Sequence, residues 1–319
     1  MLIGSLDIGG TKTIVAVTDD SGLIHAKRTF PTDVADHDRH FLRCAEALRG
    51  LLTQMNVDLH SLLGVGVNVP GMVDYKSGVL LNAPFAAWKD LPVRDQFRKL
   101  LGIPDVFVDN DVKSCALGEK YFGYRDRYTS YVWVTLSTGV GAAVVIDGRI
   151  WRGPDNLAGE LGHVKVEYHQ PRRCSCGKLG CLEAYASGTG IAASVLEAER
   201  NDPSFHGRFE ARLLPHDAVG CAELAELGDE AALSVYGITA DYLARGLSAA
   251  INLINPQAII LGGGVARSLH LIAPQVRARL NEYVVDQLVD TEIVPTRLGY
   301  EAALIGTAAL VLEEKKNAP

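Results

Sequence analysis

The chain has 319 residues, 48% of them hydrophobic, which can fill one large core or two moderate ones and excludes a disulfide-stapled miniprotein or a disordered tail. Its 31 basic and 38 acidic residues leave a formal charge of −7 with no basic block, which argues against a nucleic-acid partner. The opening residues, Met1 to Asp7, reach an acid before any apolar stretch of signal length, and no run elsewhere could span a bilayer, so no membrane partner is expected.

In chain order, residues 2–8, a Gly9-Gly10 turn, residues 13–17, an Asp20-Ser21-Gly22 turn and residues 23–30 predict an antiparallel meander. Helical spacing of Phe41, Leu42, Ala45, Leu48, Leu51 and Leu52 predicts a helix, as does that of Val93, Phe97, Leu100 and Leu101. Short apolar runs at 63–69 and 106–108 read as buried strands ending in polar or glycine-rich turns, and residues 112–121 as a helix. The meander pattern then returns as residues 131–136, a Gly139-Val140-Gly141 turn, residues 142–146, Asp147-Gly148 and residues 149–151. In register, Leu6-Asp7-Ile8-Gly9 falls opposite Leu136-Ser137-Thr138-Gly139. A unit used twice predicts two like-built lobes facing each other across a cleft.

The second half predicts a long helix within Glu230–Ile254, a strand at 258–261, a helix at 272–283, a strand at 292–294 and a final helix from Glu301, with residues 313–319 as a frayed charged tail. The fold class is α/β. The expected division is residues 1–118 as the N-terminal lobe, 119–300 as the C-terminal lobe, and 301–319 packing back on the first.

The turn Asp7-Ile8-Gly9-Gly10-Thr11-Lys12 lets the backbone approach a phosphate, with a hydroxyl from Thr11 and a positive charge from Lys12, while Asp7 can hold a hydrated Mg²⁺. Alone it would read as a hairpin turn. Ser137-Thr138-Gly139-Val140-Gly141 supplies a second hydroxyl-and-glycine turn at the matching position, and two such turns can grip a polyphosphate. Neither a P-loop nor a dinucleotide fingerprint is present. Gly262-Gly263-Gly264 after an apolar strand can accept a flat ring such as adenine, or serve only as a strand-to-helix turn.

Asn110-Asp111 follows a strand and opens a helix, where an acid often only caps the helix. At a sheet edge, Asp111 can instead accept the proton of a hydroxyl attacking a γ-phosphate. Asp109 would point to the other side.

Glu160-Leu161-Gly162-His163 and the run from Cys174 to Glu183 hold the sharpest signal: His163, Cys174, Cys176 and Cys181 match a closed Cys₃His structural zinc site. Cys44, Cys115 and Cys221 are scattered in apolar surroundings, a pattern that suits a reducing, cytoplasmic compartment. Glu160 and Glu183 flank the clip and suit bidentate bonding to sugar hydroxyls, although exposed glutamates are usually plain surface. His163 can serve both metal and hydroxyl.

Taken together, these motifs and the Val69-Pro70-Gly71-Met72-Val73-Asp74 turn resemble the ROK family (repressors, open reading frames and sugar kinases) over nearly the whole chain. The resemblance implies the two-lobed actin-like ATPase (ribonuclease H-like) fold, with ATP and Mg²⁺ bound through Asp7, Gly9, Gly10, Thr11, Lys12, Thr138, Gly139, Gly141, Gly262, Gly263 and Gly264. It implies Asp111 as catalytic base, and Asn110, Glu160, His163 and Glu183, with Asn82 and Gly71, around a sugar. Ala142-Ala143 stand where many members have glycines, and Ser137 often has a glycine counterpart. The family's repressors carry a helix-turn-helix ahead of the first turn; with Asp7 so early in the sequence, none is expected here.

The resulting expectation is phosphorylation of a hexose 6-hydroxyl, glucose foremost, with N-acetylmannosamine, N-acetylglucosamine or fructose as alternative acceptors and a sugar-sensing regulator as the non-enzymatic alternative. A homo-oligomer, dimer or tetramer, is implied by the resemblance alone.

Overall fold

The computed structural model describes residues 1–83 and 85–317. Contacts divide the chain into two compact units, one of Met1–Thr129, Val144–Ala158 and the segment from Thr296, the other of Ser130–Ala143 and Gly159–Pro295.

The first unit begins with β1 (Leu2–Ile8), β2 (Lys12–Asp19) and β3 (Ile24–Pro31), the antiparallel meander read from the sequence. Helix α1 (His37–Gln54) follows, capped by Asp36, whose side chain accepts from the Arg39 N–H. Strand β4 (Val65–Asn68) lies parallel to β1 and is buried throughout. A small antiparallel sheet, β5 (Met72–Asp74), β6 (Val79–Asn82) and β7 (Lys89–Leu91), then intervenes. It is absent from the sequence reading because its strands are three or four residues long. Helix α2 (Val93–Leu101), strand β8 (Val106–Asp109) and helix α3 (Asp111–Tyr121) complete this stretch, giving a sheet of order β3-β2-β1-β4-β8. One face of that sheet buries Leu6, Ile8, Val65 and Val67 with Phe41, Leu48 and Phe97 from α1 and α2.

The chain continues through β9 (Tyr131–Leu136), β10 (Val140–Ile146) and β11 (Arg149–Trp151). Val140 and Gly141, read from the sequence as turn, lie in β10, and the reversal is confined to Ser137-Thr138-Gly139, where the Ser137 N–H donates to the Gly139 carbonyl at 2.9 Å. The short helix α4 (Glu183–Ala186) and helices α5 (Gly188–Asn201), α6 (Pro203–Glu210) and α7 (Ala218–Glu226) also escaped the sequence reading. Helix α8 (Glu230–Ile254) matches it, opening on the Asp229 cap and ending at Asn255 in a left-handed conformation. Strand β12 (Ala258–Gly262), helix α9 (Leu269–Tyr283) and strand β13 (Glu292–Pro295) follow. The second sheet has order β11-β10-β9-β12-β13, with β12 parallel to both β9 and β13.

Helix α10 (Ala302–Asn317) packs with α3, β1 and β4 of the first unit. A methyl at Gly306 would lie 2.3 Å from the Ser114 carbonyl, so the helices approach backbone to backbone there. The expected frayed tail is instead the last turn of this helix: Glu313 accepts from Lys120 at 2.6 Å and Tyr121 at 2.8 Å, and Lys315 pairs with Asp105 at 2.8 Å. Ala318 and Pro319 lie outside the described residues. Among the described residues no helix is long and apolar enough to cross a membrane.

Candidate functional site

In the first unit, sheet register sets Asp7 beside Asn68 and Asn68 beside Asp109, a polar row across β1, β4 and β8. Asp109 is fully buried and answered by Arg152, which donates to both carboxylate oxygens at 3.0 and 2.6 Å and lies over the Tyr75 ring at 3.8 Å. Arg152 also donates to Asn156 Oδ1 at 3.1 Å, and Asn156 in turn donates to the Val73 carbonyl. Neither residue was found in the sequence. The available signal was the acid at the end of an apolar strand, which once buried demands a counter-charge.

Asp111 is the first residue of α3, but the capping is done by Asn110, whose side-chain oxygen accepts from the Val112 and Lys113 N–H groups at 2.9 and 3.4 Å. The Asn110 amide donates to the Gly71 carbonyl at 3.0 Å. Gly71 has φ +130°, and a Cβ there would meet the Asn82 carbonyl at 2.3 Å, so only glycine fits. Asn110, Gly71 and Asn82 therefore form one corner, with Asp111 freed from the capping role.

Burial pushes the Asp111 carboxyl above the usual range, with partial relief from the Val112 N–H. Burial, the Asp111 charge and a smaller opposing pull from Lys12 set Asp7 at about 7. Both carboxylates are set among protein atoms while remaining partly open at the surface. The turn between β1 and β2 closes through the Gly9 N–H donating to the Lys12 carbonyl at 3.0 Å; Gly9 and Gly10 are half-buried and Thr11 exposed. Lys12 donates to the Tyr300 hydroxyl at 2.9 Å.

In the second unit, the Ser137–Gly139 turn is braced by the start of α5. The Gly188 N–H donates to the Ser137 carbonyl at 2.7 Å and the Thr189 hydroxyl to the Thr138 carbonyl at 3.0 Å. A 620 Å³ pocket beside this turn is lined by Thr138, Gly264, Tyr236 and the α7 residues Ala218, Val219 and Ala222. It brings together the hydroxyl turn and the end of the triple-glycine run. Of that run only Gly264 lines the pocket: Gly262 packs on Trp133, and Gly263, at φ +90°, passes close to the Leu136 carbonyl. Helices α5, α7 and α8 supply most of the pocket wall.

His163, Cys174, Cys176 and Cys181 gather with their ligand atoms all within 4.8 Å of one another. Cys176 Sγ and Cys181 Sγ are 3.8 Å apart, as are Cys174 Sγ and His163 Nδ1. Tetrahedral zinc with ordinary bond lengths requires about 3.8 Å between sulfurs and about 3.6 Å between sulfur and nitrogen, so the donor set fits the ion. Lys165 donates to Cys181 Sγ at 3.0 Å, an outer contact that would hold a thiolate. All six cysteines are free thiols.

The cluster is tied to Glu183, which accepts from the Ser175 hydroxyl at 2.5 Å through one oxygen and from the Val140 N–H at 3.1 Å through the other. Glu160 is exposed, 3.8 Å from His163 Nε2, the imidazole nitrogen not facing the thiols. His163, Glu183 and the cysteine cluster thus form one connected assembly in the second unit, with Glu160 at its edge. Asp7, Lys12, Asp111, Asn110, Gly71 and Asn82 belong to the first unit.

The model of the ROK family matches residues 3–314. The glucokinase of Thermotoga maritima is 33% identical, over 98% of this chain and 97% of its own. The xylose repressor of Bacillus subtilis is 30% identical, over 84% of this chain and 66% of its own. The crystal structure of a ROK family glucokinase from Streptomyces griseus, in complex with glucose and AMPPNP, superposes with a TM-score of 0.82 at 27% identity, covering 98% of this chain and 100% of the other. The fold is the actin-like ATPase fold, and the chain belongs to the ROK family.

Proposed function

We propose that the protein is an ATP-dependent kinase for the 6-hydroxyl of a hexose, glucose first. The observation that carries this reading is the group of side chains in the first unit: Asp111, spared from capping by Asn110, interacts with Asp7 beside a glycine turn and next to the Gly71–Asn82 corner. Its likeness to glucokinases along nearly its full length supports the same reading.

In this mechanism Asn110, Asn82 and the Gly71 turn orient the sugar hydroxyls. Asp111 accepts the proton of the sugar hydroxyl as its oxygen bonds to the γ-phosphorus of ATP and the bond to ADP breaks. A carboxyl that burial raises above its ordinary range suits that late proton transfer. Gly9, Gly10, Thr11 and Lys12, with Thr138, Gly139 and Gly141, offer backbone N–H groups, a hydroxyl and a charge to the phosphates. The pocket at Thr138 and Gly264 takes the adenosine. Asp7 would hold Mg²⁺, which supplies charge neutralisation on the phosphates. Structural zinc on His163, Cys174, Cys176 and Cys181 would fix the segment that carries Glu183.

A second reading, a sugar-binding regulator, draws on the likeness to a xylose repressor. A coupled ADP-release assay over a panel of hexoses and N-acetylhexosamines separates the two. Sugar-dependent ADP release, greatest with glucose, is the expected result. Calorimetric sugar binding without ADP release from any acceptor would overturn the kinase reading in favour of the regulator.

A further inference from the structure

We propose that the second unit carries another transition-metal site, built from Glu199, His206 and His216 and separate from the cysteine cluster. One ligand atom from each of these residues lies within 4.8 Å of the other two. Glu199 comes from the last turns of α5, His206 from α6, and His216 from the link that leads into α7. The Glu199 side chain is only 9% exposed, and both imidazoles turn Nδ1 toward the same oxygen, His216 at 2.5 Å and His206 at 3.4 Å. The two rings lie 4.5 Å apart at 37°, and the buried Phe209 stacks on His216 at 4.8 Å, which fixes its plane.

The chemistry points to a metal more than to a surface ion pair. A nearly buried carboxylate needs positive charge against it. Its ion-pair partners among the described residues are these two imidazoles, which carry such charge only when protonated. A divalent ion satisfies all three groups with the imidazoles neutral. Ligand atoms around a tetrahedral ion bound by nitrogen and oxygen stand about 3.4 Å apart, which His206 and Glu199 already match, and His216 needs to withdraw by about 1 Å.

The outer face of His206 adds an independent sign. Its Nε2 meets Glu210 Oε1 at 3.4 Å. A carboxylate on the far nitrogen of an imidazole is the arrangement that orients metal-bound histidines and raises their basicity. A 440 Å³ pocket lined by Glu199, His206 and Arg200 leaves the cluster reachable from solvent. Two imidazoles and one carboxylate select zinc, cobalt, nickel or copper over magnesium or calcium.

His216 immediately precedes Asp217, whose side chain caps α7 through the Val219 N–H at 2.8 Å and lines the 620 Å³ pocket. An ion on His216 would therefore steady one wall of that pocket. This last step rests on the adenosine assignment above, whereas the metal site does not.

The test is cobalt and zinc binding by the full chain. Metal-free protein titrated with Co²⁺ should show two classes of band: intense thiolate charge transfer from the cysteine cluster, and weaker ligand-field bands without thiolate character from the new site. The second class should vanish in His206→Ala and in His216→Ala, with zinc stoichiometry falling from two per chain to one. Glu210→Gln should keep the site but weaken it by roughly 10- to 100-fold. His206 is half-exposed, so its variant guards against a failure of His216→Ala to fold.

With the thiolate bands present, a single equivalent of zinc bound by the unaltered protein at micromolar metal, or a second equivalent that persists in both histidine variants, would overturn the site. Loss of the thiolate bands alone would count only against the cysteine cluster. With the second equivalent bound, ADP should bind several-fold more tightly to the unaltered protein and unchanged to His206→Ala. Equal affinity with and without that metal would overturn the link to the pocket.

Discussion

The two meanders share a topology and differ in charge. In each, β1 or β9 begins a sheet in which an antiparallel pair is followed by two parallel strands, in orders β3-β2-β1-β4-β8 and β11-β10-β9-β12-β13. At the first turn the chain gathers Lys12 with Asp7 and the neighbouring Asp111, two carboxyls that burial raises above their ordinary range. At the second it offers Ser137, Thr138 and Gly139, which do not titrate, braced by α5 and by Glu183. The same backbone thus serves two purposes: one turn manages charge, the other fixes shape. Altering ionisable groups should disturb chemistry and pH response in the first unit, whereas removing metal should loosen the second with little change in pH response.

The largest effect is expected from Asp111→Asn. The amide cannot accept the hydroxyl proton, so kcat should fall by roughly 10²- to 10⁴-fold. Thermal stability should hold or rise, because burial already disfavours the charged form. Steady-state kinetics beside a thermal melt check both. Near-normal kcat would remove Asp111 from the role of base.

Next is Arg152→Ala. It strands the Asp109 carboxylate, which has no exposed surface, and should cost about 3–5 kcal/mol of stability by denaturant unfolding. An intact Asp109 geometry with a loss below about 1 kcal/mol would mean that another cation answers the acid.

Removing metal from the cysteine cluster should have a smaller and more local result. With His163, Cys174, Cys176 and Cys181 released, limited proteolysis should open the segment between Glu160 and Glu183, and KM for sugar should rise several-fold more than KM for ATP. Equal changes in both would mean that the cluster supports the unit as a whole.

Much of this contrast could be read before any coordinates. The repeated meander was legible because strand alternation and Asp-Gly or Ser-Gly punctuation are local signals, and α8 because a capping acid opens a long 3.6-residue period. The cysteine cluster was legible because Cys174, Cys176 and Cys181 fall within eight residues. What stayed hidden depends on tertiary partners. Val140 and Gly141 looked like turn because glycine spacing outweighs pairing in a one-dimensional reading, yet β10 starts at Val140. The acid-and-lysine end of α10 looked frayed, and it is held by Lys120, Tyr121 and Asp105, residues about 200 positions away. Arg152 carries no motif at all; its importance exists only once Asp109 is buried.

The smallest effect, and the one that separates the two turns most directly, is the pH dependence of Asp7. Its carboxyl stands at about 7 in the folded protein against an ordinary 3.8, so the native state holds a proton that the unfolded chain releases. In the metal-free protein that group stabilises the fold fully below about pH 4, and its contribution declines as pH rises to about 7, beyond which nothing further is lost. The shift sets a ceiling of about 4 kcal/mol, and the partly open surface reduces the expected value to about 1–3 kcal/mol. Asp7→Asn removes the titration, so the variant should match the parent near pH 4 and melt a few degrees higher at pH 8. Thr138→Val at the second turn should shift the melt by a similar amount at both pH values, since no titrating group is involved. If Asp7→Asn and its parent differ equally at pH 4 and pH 8, the first turn does not store charge and the contrast between the two meanders fails.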